Sequence, residues 1–365
     1  MKDRYGRRAA APLAAGAACT FLCALGALPP AGASAGQQPA DDSFRLSTGL
    51  AQLPAYFPGL LGNGYIATLT TPRGTEAAQT YLVAFMDYSP GDMSRPALIP
   101  GWTGIDVAPG DARSQGEWID EAALTAAHFA DYRQTLDMHA GMLTTRYSYA
   151  DRGRGLAVRV VTFVSESSPH LAVTRLSIRP DYDGWVRLAF PLTLWKRHTP
   201  RFPLGRWTGP QQNRALAARG ISLQPHPPAT PDRAALWYPG YTRIVKTGGE
   251  VRDLTLWLSG KAESGPSMAM AAAIALPVAA QPPRVDLRRD AHRLELDVTV
   301  RVEKGRTYDF TKYVALSRAG WGGDAAQDLA LARGVRRRGF DRLAGAQRAA
   351  WRALWQPDIV IQGDP

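Results

Sequence analysis

Apolar and polar residues alternate with period two along much of the chain from Ala157 onward. Ala157-Val-Arg-Val-Val-Thr-Phe-Val-Ser165, Leu171-Ala-Val-Thr-Arg-Leu-Ser-Ile178, Val186-Arg-Leu-Ala-Phe190, Asp253-Leu-Thr-Leu-Trp-Leu258 and Arg293-Leu-Glu-Leu-Asp-Val-Thr-Val-Arg-Val302 carry the pattern. This is the period of a strand with one buried face. Turn residues such as Arg179-Pro-Asp-Tyr-Asp-Gly184 and Glu303-Lys-Gly305 separate the runs. Strands in series without amphipathic helices between them predict a mainly β fold of packed antiparallel sheets. Lys196 to Tyr241 is rich in Pro, Gly, Arg and aromatic residues with weak periodicity, and reads as a long loop excursion.

Near the end the period changes to that of a helix. Asp324 heads the first helix, where its side chain can accept the free amides of the first turn, and Gly339 ends it. A second helix, Phe340 to Trp355, sets Leu343, Gln347, Trp351 and Trp355 at spacings of four on one stripe. Trp351 and Trp355 read as packing anchors that dock this helix against the sheets or a partner domain.

The front of the chain has a different character. Lys2, Arg4, Arg7 and Arg8 precede an Ala/Leu-rich stretch from Ala9 to Leu28, and Ala33-Ser-Ala35 supplies small residues for cleavage. That is the layout of a secretory signal peptide over residues 1–35, followed by a flexible lead-in over 36–43. Pro12 and Gly16 interrupt the apolar run, so a stable membrane anchor is the poorer reading. The expected location is the periplasm or the extracellular space. Both cysteines, Cys19 and Cys23, fall in the removed segment, leaving no disulfide or thiol chemistry. Cleavage removes four basic residues and one acidic one, taking the net charge from +11 to +8. The remaining arginines are mostly dispersed singly, which argues against nucleic-acid binding.

Self-contained chemistry is hard to find. The sequence lacks a His-Glu-x-x-His pair, a phosphate loop and a Gly-x-Ser-x-Gly elbow. His128, His139, His170, His198, His226 and His292 are scattered without metal-ligand spacing, so neither a metal nor a cofactor is expected. Glu117, Asp120 and Glu121 form an acidic cluster from which a glycosidase carboxylate pair could be drawn, although a solvated acidic loop is the favoured reading. Trp102, Trp195, Trp207, Trp237 and Tyr238 could offer stacking faces to a sugar, or could instead cover the sheets.

Four blocks of sequence occur in an order that resembles the N-terminal domain of glycoside hydrolase family 65. They are Leu61-Gly-Asn-Gly-Tyr-Ile66, Arg95-Pro-Ala-Leu-Ile-Pro-Gly-Trp-Thr-Gly-Ile-Asp106, Tyr132-Arg-Gln-Thr-Leu-Asp-Met-His-Ala-Gly-Met-Leu-Thr-Thr-Arg-Tyr147 and Thr162-Phe-Val-Ser-Glu-Ser-Ser-Pro-His-Leu171. Ala349-Ala-Trp-Arg-Ala-Leu-Trp355 and Asp358-Ile-Val-Ile-Gln-Gly-Asp364 resemble the linker into that family's barrel, with Gln347 where the family often has His. Read without the family, Gly62-Asn63-Gly64 is a tight turn feeding a strand from Tyr65 to Thr70, and Gly141 is the turn of a hairpin.

The resemblance implies a galactose-mutarotase-like β-supersandwich over 44–320 and linker helices over 321–365. It places the general acid in an (α/α)6 barrel beyond the linker, so no catalytic residue is expected in this chain. The family includes acid trehalases, disaccharide phosphorylases and glucosylgalactosyl-hydroxylysine glucosidases. Three functions follow: the N-terminal domain of an exported enzyme acting on α-glucosides, hydrolase or phosphorylase; a free-standing carbohydrate-binding module; or an independent enzyme using its own carboxylates. Partners implied are an α-glucoside and a catalytic barrel, joined or separate.

Overall fold

Most of the apolar positions of the alternating runs meet in one core between two sheets. The computed structural model describes residues 44–56, 58–87, 95–110, 116–194, 240–262, 266–290, 293–319 and 324–356. In chain order the strands are β1 (Arg45–Gly49), β2 (Leu60–Gly62), β3 (Ile66–Leu69), β4 (Thr80–Leu82), β5 (Met86–Asp87), β6 (Arg95–Leu98), β7 (Asp106–Gly110), β8 (Phe129–Asp137), β9 (Met142–Asp151), β10 (Arg154–Val164), β11 (Leu171–Pro180), β12 (Gly184–Thr193), β13 (Gly240–Glu250), β14 (Thr255–Ala262), β15 (Ser267–Ala275), β16 (Arg284–Arg289), β17 (Arg293–Val302) and β18 (Tyr308–Arg318). A 3-10 helix, Leu50–Ala55, follows β1, and helices α1 (Ala325–Arg338) and α2 (Phe340–Trp355) come after β18.

Eleven strands form the large sheet in the order β1-β8-β9-β10-β11-β18-β15-β14-β13-β6-β5. Four more form a second sheet, β16-β17-β12-β7, and three a small one, β2-β3-β4. Strand pairing is antiparallel except between β6 and β13, where Gly240 faces Ala97. Val158, Leu176, Met270 and Phe310 of the large sheet share a core with Leu188 and Phe190 of β12 and Leu296 and Val298 of β17. This is the mainly β, packed-sheet architecture that the periodicity predicts.

Each of the five runs corresponds to a strand: Arg293–Val302 coincides with β17, and the other four have shifted ends. Thr255, not Asp253, opens β14, because Leu254 takes a positive φ of 51° in the preceding turn. Gly240 and Tyr241, placed by composition at the end of a loop, belong to β13; the rest of that segment, from 195 to 239, lies outside the described residues. Ser-Met-Ala-Met-Ala-Ala-Ala-Ile-Ala of β15 has a helix former's composition yet is a strand. Its Met268, Met270 and Ile274 point into the core, while Ala273 points outward against Ala315 of β18 and Ala332 of α1. Alanine there lets the helix sit close to the sheet.

Asp324 caps α1 as its position predicts, accepting from the amides of Ala326 and Gln327 at 2.9 and 3.0 Å. Asp328, one turn on, is buried and accepts a 2.7 Å hydrogen bond from Ser317 of β18. Arg336 pairs with Asp253 at 2.7 Å, tying the last turn to the start of β14. Gly339, at φ 80°, breaks the chain between the helices. Leu343 and Phe340 of α2 then join Met142, Phe163, Val173 and Tyr313 in a second apolar cluster on the outward face of the large sheet.

Burial pushes the Asp328 carboxyl up to about 7. The folded chain therefore holds a proton that an unfolded aspartate, with a pKa near 3.9, releases. Its contribution to stability is fully present below about pH 4 and is lost as the pH rises through 7. Between pH 5 and pH 8 the wild type is expected to lose several degrees of melting temperature relative to Asp328→Asn, in thermal melts of the two proteins across the range.

Candidate functional site

Three of the four sequence blocks and α2 converge at one corner of the large sheet. Asn63, in the turn after β2, accepts from the amides of Tyr65 and Ile66 at 3.0 and 2.8 Å. Its amide donates to the carbonyls of Ser165 and Pro169 at 2.7 and 3.0 Å, pinning the first block to the fourth. The positive φ of this turn falls on Gly64, at 78°. Tyr65 packs on His170 with ring centroids 4.2 Å apart, and His170 Nδ1 lies 2.9 Å from the carbonyl of Leu316.

Gln347 of α2 is the bolt of this corner. Its side chain is fully buried and uses all of its near neighbours: Oε1 accepts from the Glu166 amide at 2.8 Å, and Nε2 donates to the carbonyls of Val164 and Gly141 at 3.0 and 3.2 Å. Gly141 turns the β8–β9 hairpin at φ 57°, where Trp351 lies so close that a Cβ would collide with its indole. Glycine is required there on both counts. Trp355 donates from Nε1 to the Met138 carbonyl at 3.0 Å and meets Phe44 and His139 edge-on. Trp351 and Trp355 thus seat α2 on the domain's own β8–β9 hairpin.

Of the other residues read from the sequence, Trp102, Glu117, Asp120 and Glu121 fall among the described residues. Trp102 is wholly buried in the main core, so both faces of its ring are taken by protein and it offers none to a sugar. Trp195, Trp207, Trp237 and Tyr238 lie outside the described residues. Glu117 and Glu121 are exposed, whereas Asp120 turns inward, so the acidic cluster does not present paired carboxylates to one cleft.

Asp120 instead belongs to an ionic strip that sequence reasoning missed. Register places Asp106 of β7 beside Ala189 of β12, and Ala189 beside Asp297 of β17. Arg293 pairs with Asp106, and its Nε lies 3.0 Å from Glu295. Arg288 and Arg187 approach Asp297 at 2.8 and 3.3 Å, and Arg187 stacks on Trp118 at 4.8 Å. Burial pushes Asp106 up to about 7, and it raises Asp120 and Glu295 as well. Lys312 of β18 is buried and pushed down to about 7, its Nζ donating to the carbonyls of Gly104, at 3.0 Å, and Pro191. Asp106 and Arg293 stand 187 positions apart, and only the folded register shows them as partners. The sequence feature that could have pointed to it is Lys312, which stands in a strand among Phe310, Tyr313 and Val314.

With Asp106 and Lys312 almost inaccessible, the strip anchors the 116–122 turn and the Trp102 segment to the second sheet rather than meeting a substrate. No group of three potential metal ligands occurs among the described residues. A separate hollow of about 230 Å³ lies beside the 3-10 helix, between Leu46, Tyr56, Gln134 and Leu143. Tyr56 donates to Gln134 at 2.7 Å there, and burial raises its hydroxyl to about 12.

Residues 60–193 match the model described as glycosyl hydrolase family 65, N-terminal domain. No curated protein matches the sequence. Among solved structures, the chain is similar to a protein assigned as a kojibiose phosphorylase from the human microbiome, with a TM-score of 0.59 and 13% identity over 86% of this chain and 38% of that one. A family GH92 alpha-mannosidase from Bacteroides thetaiotaomicron gives a TM-score of 0.33 at 10% identity over 80% and 35% of the two chains, too low to add to the comparison. The chain thus spans under two fifths of the length of these solved proteins. At such identities the likeness speaks for the fold alone, and over residues 60–193 the sequence is similar to the glycosyl hydrolase family 65 N-terminal domain.

Proposed function

We propose that this chain is the non-catalytic N-terminal part of an exported family 65 enzyme that acts on α-glucosides, and that it serves as the rigid base for the helices leading to a catalytic (α/α)6 barrel. The observation that carries the reading is the corner built by Asn63, Gly141 and Gln347. Three of the blocks that resemble the family spend their polar groups on fixing one another and α2, not on forming a cleft. A domain whose recognisable residues hold a linker helix in place is built to position what that helix leads to. The basic, then apolar, then small-residue order of the first 35 residues supports export. Export in turn favours hydrolysis over phosphorolysis, because phosphate and sugar phosphates are harder to exploit outside the cytoplasm.

The stiffness of that base is testable on the protein as it stands. Gln347→Leu leaves the Glu166 amide and the carbonyls of Gly141 and Val164 without their partner, and is expected to cost about 3 kcal/mol of stability in urea unfolding. Gln347→His keeps one donor and one acceptor and is expected to lose less.

For function, the chain is assayed alone, and then together with whatever barrel sequence its genome encodes beside it, on trehalose, kojibiose and maltose with and without phosphate. The chain alone is expected to release no glucose, and the combination to release glucose independently of phosphate. Phosphate-dependent formation of glucose 1-phosphate would make the enzyme a phosphorylase. Turnover by the chain alone, lost in Glu117→Gln or Asp120→Asn, would replace this reading with an independent enzyme. Sugar-dependent quenching of tryptophan fluorescence in the chain alone, lost on Trp→Ala changes between 195 and 241, would replace it with a binding module.

A further inference from the structure

Away from α2, the outward face of the large sheet carries three arginines directly opposite one another. Arg133 of β8 faces Arg146 of β9, and Arg146 faces Arg159 of β10. All three are exposed. Like charges at directly opposed positions on neighbouring strands repel. The nearby carboxylates are engaged elsewhere: Asp137 with Arg45 at 3.2 Å, Asp309 and Asp341 with Arg175 at 4.0 and 3.3 Å, while Asp131 accepts from Ser148 at 3.3 Å. Among the described residues no carboxylate pairs with any of the three, and Arg133 donates to the Ser47 hydroxyl at 3.3 Å. Charge is often placed on edge strands to block aggregation, but β8, β9 and β10 each have a strand on both sides.

A trough of about 440 Å³ lies at the Arg133–Arg146 end of this row, walled by Arg45, Arg133, Arg146, Ser47, Thr135 and Thr144, with the already paired Asp137 at its side; Arg159 stands beyond it on β10. Guanidinium forks flanked by hydroxyls are chemistry for oxyanions such as sulfate and carboxylate. Neighbouring strands lie about 4.8 Å apart, so the row presents a fork roughly every 5 Å over about 10 Å. A single small oxyanion engages only part of such a row, whereas a chain with a charged group at each repeat engages all of it.

We propose that the Arg133–Arg146–Arg159 row is a docking track for an extended acidic polysaccharide bearing sulfate or carboxylate groups. The arginines hold the charged groups, and the hydroxyls of Ser47, Thr135 and Thr144 face the sugar oxygens. The residues lining the trough include no aromatic ring on which a nucleobase could stack, which favours a polysaccharide over a nucleic acid. The inference stands apart from the α-glucoside reading, since it needs neither a barrel nor catalysis.

The test is equilibrium binding of labelled heparin and labelled polygalacturonate to the full chain, at two salt concentrations, with inorganic sulfate and a single-stranded DNA of matched charge as competitors. The triple change Arg133→Ser, Arg146→Ser, Arg159→Ser is compared with a control that removes three exposed arginines elsewhere, Arg243→Ser, Arg289→Ser, Arg301→Ser. The row variant is expected to bind at least tenfold more weakly, with a flatter salt dependence, and to melt no lower than wild type because repulsion is relieved. The control is expected to stay within twofold of wild type. Equal weakening in the control would reduce the effect to general positive charge. DNA binding as tight as the polysaccharide's would overturn the choice of ligand. Unchanged affinity in the row variant, or competition by sulfate alone at the same site occupancy, would remove the track altogether. Arg146→Thr alone, a residue type that strands favour, gives the same comparison if the triple variant does not fold.

Discussion

A strand in the middle of the large sheet has no face to give to water, and that constraint organises the rest of the molecule. β15 and β18 lie against the second sheet on one side and against α1 and α2 on the other. Without the helices, Phe163, Val173 and Tyr313 would form an exposed apolar patch, so α1 and α2 are part of the fold rather than an appendage to it. The same constraint selects the small side chains of β15. Its inward positions carry Met and Ile for bulk, and its outward positions carry Ala so that α1 can approach. Composition alone points the wrong way here, because the tertiary setting outweighs the local helix preference of alanine.

Burial of charge follows a related logic at the second sheet. Lys312 comes from the large sheet and spends its protons on carbonyls of segments leading to β7 and ending β12, while Arg293 reaches from β17 to Asp106 of β7. Each ion is a cost on its own and is tolerable only with its partner in place. The strip therefore acts as a register mark: a slip of one residue in β7 or β17 would carry Asp106 or Arg293 to the other face and leave the other unpaired. Specificity of pairing between β7, β12 and β17 is the return on burying these groups.

How much of this was legible in the sequence depended on the range of the interaction that decides each feature. Local rules sufficed for Asp324, Gly339 and the whole of α2, because capping, φ preference and a four-residue spacing act within one turn. Period two found β10, β11, β12, β14 and β17, whose faces differ in burial. It passed over β15, buried on both faces, and β6 and β7, where proline interrupts the pattern. Trp102 looked like a stacking platform because Gly and Pro surround it, yet those residues let the chain fold tightly around the ring. The ionic strip and the arginine row were out of reach, since both are properties of strand register and not of spacing along the chain.

The family-like blocks acquire a physical meaning once their hydrogen bonds are followed. Asn63 fixes the first block to the fourth, and Gln347 fixes the third and fourth to α2, so the corner is one network with the helix as a member. Buried amides that satisfy every partner are stiff, because any displacement leaves several polar groups unpaired at once. Trp351 over Gly141 and Trp355 on the Met138 carbonyl extend that stiffness to the last turn of the helix. The site asks for one acceptor and two donors in a single plane, which the primary amide of Gln347 supplies and an imidazole would not. The orientation of α2 is thereby set by the sheet through the β8–β9 hairpin.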